Sequence, residues 1–303
     1  MSWFKIGKIF EASGQHEWMS SHTACPSPYL VNDDLLRVYF GTRDSSNRPS
    51  IGFIEMSTCG SFEVERISKV PCLGPGEWGC FDDNGVYPGP ILPHAGKLYL
   101  YYMGRSNGDF PLYYMAIGLA ESEDGGVSFN RFSRAPILDK NDHDPWLVST
   151  PFVLRQADGL WKMWYTSGIG WVSKFPPKSK YQVKYAESPD GVLWETNEKV
   201  SIPIEGEEYN LASPWVWREE QVWRALYCVA EENDGYRLCG ATSTDGISWE
   251  KEGTPIGLER SSSGWDSKCM AYPSVFTLKG VRYCLYSGNE NGRGGLGLAR
   301  WEK

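Results

Sequence analysis

The sequence predicts an all-β protein, a five-bladed β-propeller formed as a single domain over residues 1–303, and three observations predict it. One pattern recurs five times at intervals of about 60 residues, a spacing typical of repeat architectures. Apolar residues cluster in short runs with almost no 3.6-residue periodicity. Asp-Gly turns separate those runs.

Each repeat opens with a proline and an apolar run: PYLV from Pro28, PILP from Pro90, PFVL from Pro151, PWVW from Pro214 and PSVF from Pro273. The intervals are 62, 61, 63 and 59 residues. A second, aromatic-rich run follows: LRVYFGT at 36–42, LYLYYMG at 98–104, WKMWYTSG at 161–168, WRALYCVA at 223–230 and YCLYSG at 283–288. A third comprises IGFIEMS at 51–57, AIGLAES at 116–122, VKYAES at 183–188, LCGATS at 238–243 and LGLARW at 296–301. These read as strands. After them come SEDGGVSF at 122–129, SPDGVLW at 188–194 and STDGISW at 243–249. Asp-Gly supplies the positive φ of a tight hairpin, and the following aromatic is expected to pack across the pair.

Three or four antiparallel strands per repeat give blades at roughly 15–65, 75–135, 140–200, 205–255 and 262–303. The fifth repeat ends at LARWEK without a fourth strand, while SWFKIGKIF at 2–10 reads like SWEKEGTPI at 248–256. Residues 1–12 are therefore expected to complete the fifth blade, so that no sheet edge is left open. GWVSKFPPKSKY at 170–181 reads as an irregular rim loop.

Composition bounds the partners. With 41% hydrophobic and 22% charged residues the chain is neither disordered nor fibrous. Thirty Lys+Arg against 38 Asp+Glu gives a net charge of −8, which argues against nucleic acid. The N-terminus carries no signal-peptide h-region and no run long enough for a membrane span, so a cytoplasmic protein with no membrane partner is expected. Eight scattered cysteines without C-x-x-C pairs read as buried free thiols. His16, His22, His94 and His143 are too dispersed to assign a metal, and no cofactor is expected.

In a propeller the first strands of all blades run beside the axis. Seven residues before the aligned prolines stand Ser21, Asp83, Asp144, Glu207 and Asp266, four carboxylates in five, with His22, Asp82, Asp142, His143 and Glu208 beside them. A ring of acids at a funnel mouth would split its pKa values, and glycosidic cleavage needs one carboxyl as acid and another as base or nucleophile. Trp18, Trp78, Trp146, Trp215 and Trp265 are candidate sugar-stacking walls, or blade-to-blade core. The second strands end in Arg43 and Asp44, Arg105, Glu231 and Glu232, and Asn289 and Glu290. Arg43 and Arg105 either grip an anionic substituent or balance the acids. GRGGLG at 292–297 lacks the strand-loop-helix context of a phosphate loop.

The repeats, the S-x-D-G-x-x-W turns and GEWGCFDDNGVYPGPIL at 76–92 resemble the five-bladed propeller glycosidases, an assembly that includes glycoside hydrolase families 43 and 32 and the family 130 mannoside phosphorylases. The resemblance spans essentially the whole chain. It implies a first-blade Asp as base or nucleophile, a third-blade Asp that tunes the site, and a fourth-blade Glu as acid. Asp144, within HDPW at 143–146, matches the second role, and Glu207 or Glu208 the third. Ser21 and His22 stand at the first-blade position, so Asp83 or His22 replaces the base, phosphate is the nucleophile, or hydrolysis is lost. The expected function is inverting cleavage of a glycosidic bond in an acidic funnel, with Asp83 as base, Glu207 or Glu208 as acid, and Asp144 and Asp266 positioning the sugar. His22, Arg43, Asp44, Trp78, Arg105, Trp146, Glu231 and Glu290 are the expected saccharide contacts. The alternatives are a non-catalytic sugar-binding propeller and a glycoside phosphorylase; oligomeric state stays open.

Overall fold

The computed structural model describes residues 2–109, 111–174, 177–231 and 234–302. Strand β1 (Ser2–Phe10) is followed by β2 (Ser21–Asn32), β3 (Leu35–Arg43), β4 (Pro49–Ser57) and β5 (Val64–Ile67), which pair in sequence as a four-stranded antiparallel sheet. A second sheet comprises β6 (Val86–His94), β7 (Lys97–Asn107), β8 (Tyr113–Ser122) and β9 (Asn130–Arg131). Next come β10 (Val148–Arg155), β11 (Trp161–Lys174), β12 (Pro177–Ser188) and β13 (Glu195–Ile202), then β14 (Glu208–Glu219), β15 (Val222–Glu231), β16 (Arg237–Ser243) and β17 (Glu250–Gly253). A single parallel pairing of Tyr181 with Asn210 joins these two groups into one eight-stranded sheet. Finally β18 (Ala271–Leu278), β19 (Val281–Ser287) and β20 (Leu296–Glu302) form a sheet whose outermost strand is β1, with Ser2 opposite Glu302. Apart from one helical turn, α1 (Asn289–Gly292), the described chain is all β, and the architecture is propeller-like.

The first strand of each group carries the same irregularity. Register slips over Cys25-Pro26, Gly89-Pro90, Thr150-Pro151, Ser213-Pro214 and Tyr272-Pro273. A proline fits a bulge because it has no N–H to leave unpaired. The residue before it is at φ 52° in Cys25, 35° in Thr150, 52° in Ser213 and 55° in Tyr272. Such left-handed conformations cost on the order of 1–3 kcal/mol each for residues with a Cβ, so the surrounding packing holds them. Pro26, Pro151, Pro214 and Pro273 line one small common cavity, so the first strands converge there. This corrects the repeat alignment: Pro26 is the equivalent proline of the first repeat, whereas Pro28 sits in regular pairing opposite Val38. Met19, not Ser21, then heads the column seven residues upstream.

Strand β2 packs against β6 and β18, β6 against β10, β10 against β14, and β14 against β18. The apolar core is accordingly divided into seams between neighbouring groups. Tyr39 and Ile51 meet Val86 and Leu100, for example, and Val183 and Tyr185 meet Val216 and Trp223.

The Asp-Gly turns fasten those seams. Ser188 Oγ donates to Asp190 and accepts from the Gly191 N–H, while Asp190 accepts from the N–H groups of Val192 and Leu193. Gly191, at φ 79°, turns its carbonyl toward the Tyr101 hydroxyl of the preceding sheet, 2.9 Å away. Tyr39 donates likewise to Gly126, and the Trp164 indole to Gly246. The aromatics that follow the turns pack on those same donors, Phe129 on Tyr39, Trp194 on Tyr101 and Trp249 on Trp164. They reach across to the neighbouring sheet rather than across their own hairpin.

The segment 170–181 is not an irregular loop. It extends the β11–β12 hairpin, pairing Trp171 with Ser179 and Gly168 with Tyr181; its tip at 175–176 lies outside the described residues.

Candidate functional site

Two carboxylates of the predicted column, Asp144 and Asp266, are drawn into the fold, whereas Asp83 is half-buried and Glu207 exposed. Asp144 is fully buried and accepts from the Tyr165 hydroxyl at 2.9 Å and the Ser167 hydroxyl at 2.6 Å, with the Lys184 ammonium 3.2 Å away. Asp266 is held by Lys5 at 2.8 Å and by the Tyr286 hydroxyl at 3.2 Å. In the second sheet the buried acid is Asp82, bonded to Tyr102 and paired with Arg131 at 2.7 Å, while Asp83 accepts the Gly79 N–H of its own loop. In the fourth group Glu208 pairs with Lys251 at 2.5 Å, and Glu207 is exposed. Tyr102, Tyr165, Tyr227 and Tyr286 hold equivalent places in their second strands. Phe40 holds that place in the first sheet and packs in one cluster with buried Met19, so hydroxyl and acid are absent together. The column therefore knits the outer strands to the inner ones.

Other expected contacts are placed as follows. Asp44 caps its own turn, accepting the Ser46 and Arg48 N–H groups. Trp78 is 98% exposed and Trp146 half-exposed. Trp18, Trp215 and Trp265 pack in the seams: Trp265 stacks on Tyr286, and a Cβ at Gly288, Gly294 or Gly297 would collide with it, while Gly292 is closed in by Thr23 and Gly295 by Lys8 and Phe10. Asp142 and His143 are exposed, and Glu232 lies outside the described residues.

The space the groups share is lined differently. A cavity of about 440 Å³ takes Arg43 from β3, Arg105 from β7, Tyr113 from β8, Tyr181 from β12, Tyr209 and Asn210 from β14, Tyr272 from β18 and Asn291 from α1. Among its described lining residues there is no Asp or Glu. Arg43 donates to the Tyr87 hydroxyl at 3.1 Å and to the Asn47 side chain at 2.9 Å. The Arg105 guanidinium lies 5.4 Å from the Tyr113 ring centre, and its buried Nε has no partner. The Tyr113 hydroxyl is 2.9 Å from Ser179 Oγ and 2.8 Å from the Tyr181 hydroxyl. Burial pushes the phenols of Tyr87, Tyr181, Tyr236 and Tyr272 up, so they stay neutral hydrogen-bonding groups at physiological pH. His22, itself at φ 68°, is lowered to about 4 by burial and then by the Arg43 and Arg293 charges, with Glu290 opposing them. It is a neutral imidazole at pH 7.

A groove leads outward from this cavity. Lys178, Tyr209, Asn210, Tyr236 and Asn291 also border a space of about 480 Å³ that adds Glu231, Asp234, Lys268 and Glu290. Beyond it, about 950 Å³ is lined by Glu207, Glu208, Lys180, Glu231 and Asp234. Glu208 and Glu231 stand opposite each other on β14 and β15, and Glu231 pairs with Arg237 at 3.3 Å. The site is thus basic and phenolic at its deep end and acidic outside. No cluster of three potential metal ligands occurs among the described residues, nor does any helix long and apolar enough to cross a membrane.

Of the expected contacts, Arg43 and Arg105 reach the cavity, and Glu207, Glu208, Glu231 and Glu290 the groove. The tyrosines went unpredicted. One signal was present: Met115, Tyr181 and Tyr236 each stand seven residues before a turn serine, Ser122, Ser188 or Ser243, and all three line the cavity.

No family model matches the chain. Among solved structures, one described as a glycoside hydrolase superposes with a TM-score of 0.75 at 17% identity, covering 99% of this chain and 92% of that one. A thermostable family-43 glycoside hydrolase gives 0.71 at 14% identity, covering 93% and 91%. The GH32 β-fructofuranosidase BmSUC1 of Bombyx mori gives 0.65 at 17% identity, covering 92% and 58%. Likeness at these identities establishes a glycoside hydrolase-type fold. The uncharacterized protein Rv1502 of Mycobacterium tuberculosis strain H37Rv is 38% identical over 300 residues, covering 99% of each chain, and MT1551 of strain CDC 1551 matches equally. At that identity and coverage this chain belongs to the family of Rv1502.

Proposed function

We propose that the chain is a five-bladed β-propeller, with β1 completing its fifth blade, that cleaves a glycosidic bond in a saccharide lying between the axial cavity and the acidic groove. One observation carries this reading: a tyrosine-lined hollow that all five repeats contribute to runs directly into a cluster of carboxylates. Phenol rings and hydroxyls suit sugar faces and edges. Asp144 and Asp266 serve the scaffold, and the proton-transfer pair is Glu207 as acid and Glu231 as base. Inversion then requires these carboxyls to sit about 6.5–9.5 Å apart around a water.

Single Glu207→Gln and Glu231→Gln variants, assayed by chromatography on a panel of oligosaccharides, test it. Turnover is expected to fall at least about 100-fold in each, with ligand affinity nearly unchanged. Unaltered turnover in both variants sinks the assignment. The lack of any Asp or Glu among the described residues of the cavity lining favours a second reading, a sugar-binding propeller without catalysis. In that case the wild type binds oligosaccharides and leaves all of them intact.

A further inference from the structure

We infer that the deep end of the cavity is an oxyanion subsite, so that the saccharide handled here carries its own negative group, a carboxylate or a phosphate ester. The inference rests on the proposed saccharide site and specifies its substrate class.

Arg43 and Arg105 occupy equivalent places in neighbouring sheets, each three residues beyond the aromatic of the second strand, Phe40 or Tyr102. Both enter one cavity, and Lys178 reaches the same space from β12. Elsewhere in this protein buried charge is matched: Asp82 has Arg131, Asp144 has Lys184, Asp266 has Lys5, and Arg37 has Glu55 at 2.6 Å. Arg43 and Arg105 have no carboxylate partner among the described residues. Arg43 meets only a phenol and an amide, and the Arg105 Nε is buried without any acceptor. Both arginines are half-buried, and the cost of leaving them unmatched, greatest at the buried Arg105 Nε, is relieved when a ligand supplies the missing charge. Guanidinium groups fit planar carboxylate and tetrahedral phosphate oxygens through paired N–H donors. The Tyr113–Ser179–Tyr181 hydroxyl cluster beside Arg105 supplies neutral partners for the sugar hydroxyls.

The test is calorimetric titration of the full chain, at fixed ionic strength, with glucuronate, glucose 6-phosphate, glucose and inorganic phosphate, repeated on Arg105→Gln and Arg43→Gln. Expected are an affinity for at least one acidic sugar about 10-fold or more above glucose and a loss of that advantage in Arg105→Gln, with glucose affinity and melting temperature retained. Which acidic sugar wins separates a uronate from a phosphate ester. Equal affinity for glucose and both acidic sugars overturns the subsite, as does an acidic-sugar advantage that survives both substitutions. Inorganic phosphate binding as tightly as glucose 6-phosphate overturns the claim that the group belongs to the sugar. If no sugar binds but phosphate does, and Arg105→Gln abolishes it, the anion subsite stands while the saccharide reading fails; if nothing binds, both fail.

Discussion

A buried carboxylate is informative only once its partners are known. Asp144 matches in sequence the middle role that the resemblance to the propeller glycosidases implies, yet Tyr165, Ser167 and Lys184 occupy its oxygens. Replacing Asp144 by Asn strands the Lys184 ammonium, and urea denaturation should show a loss of about 3–5 kcal/mol, with sugar binding retained by the fraction that folds. Trp78→Ala, by contrast, should fall within about 0.5 kcal/mol of wild type, as its side chain stands in solvent. His22 gives a pH signature. Its folded pKa of about 4 lies below the ordinary 6.5, so the unfolded chain binds the extra proton between those values and stability falls as pH drops through that window. Denaturation series at pH 7 and pH 5 should show a decline that His22→Asn reduces; an unchanged decline refutes the assignment. The sequence held the clue to the column's structural use, since acid and tyrosine vanish together at Met19 and Phe40. The clue was masked because in the second and fourth repeats the paired acid is the neighbour of the expected one, the buried Asp82 and the half-buried Glu208.

At the level of elements, strand runs and turns were legible because β-branched and aromatic clusters between Asp-Gly pairs leave few alternatives. What the turns do was not legible, because their partners lie a whole repeat away. Asp190→Ala removes the acceptor for Val192 and Leu193 and loosens the carbonyl that Tyr101 grips, at a cost of about 1 kcal/mol in thermal unfolding. Burial raises Asp124, but hydrogen bonds from Ser128, Ser122 and Val127 outweigh it and bring the group to about 2. Its folded value lies below the unfolded one, so the turn's contribution is complete above about pH 4 and disappears as pH falls through 2. The β11–β12 extension departs from the irregular loop its sequence suggests for a physical reason: Pro, Lys and Ser lack strand propensity, and it is pairing to Trp171 and Gly168 that holds Ser179 and Tyr181 in line. The extension carries three cavity residues, Lys178, Ser179 and Tyr181, that a loop assignment does not place there.

For the molecule as a whole, the core is a series of seams, and the seam between the fourth and last groups includes Trp3 from β1. Trp3 also donates its backbone N–H to the Ile256 carbonyl at 2.8 Å, tying the first strand to the fourth group as well as to β20. Deleting residues 1–10 should therefore bare the β20 edge, broaden the melting transition and drive association, which size-exclusion chromatography reads directly. A sharp, monomeric melt from that truncation would show that the strand is dispensable. The fivefold period was visible from prolines alone, but the polar character of the hollow was not. It depends on which side chains flank each bulge, and Cys25, Thr150 and Tyr272 stand there.

Because Ser2 lies across the ladder from Glu302, the two ends of the described chain are neighbours. A short peptide splice between them, with fresh termini cut at the Asp158–Gly159 turn between β10 and β11, where Asp158 is exposed, would yield a circular permutant in which every strand keeps its place in its sheet. Such a permutant would report whether assembly of this architecture depends on where synthesis starts.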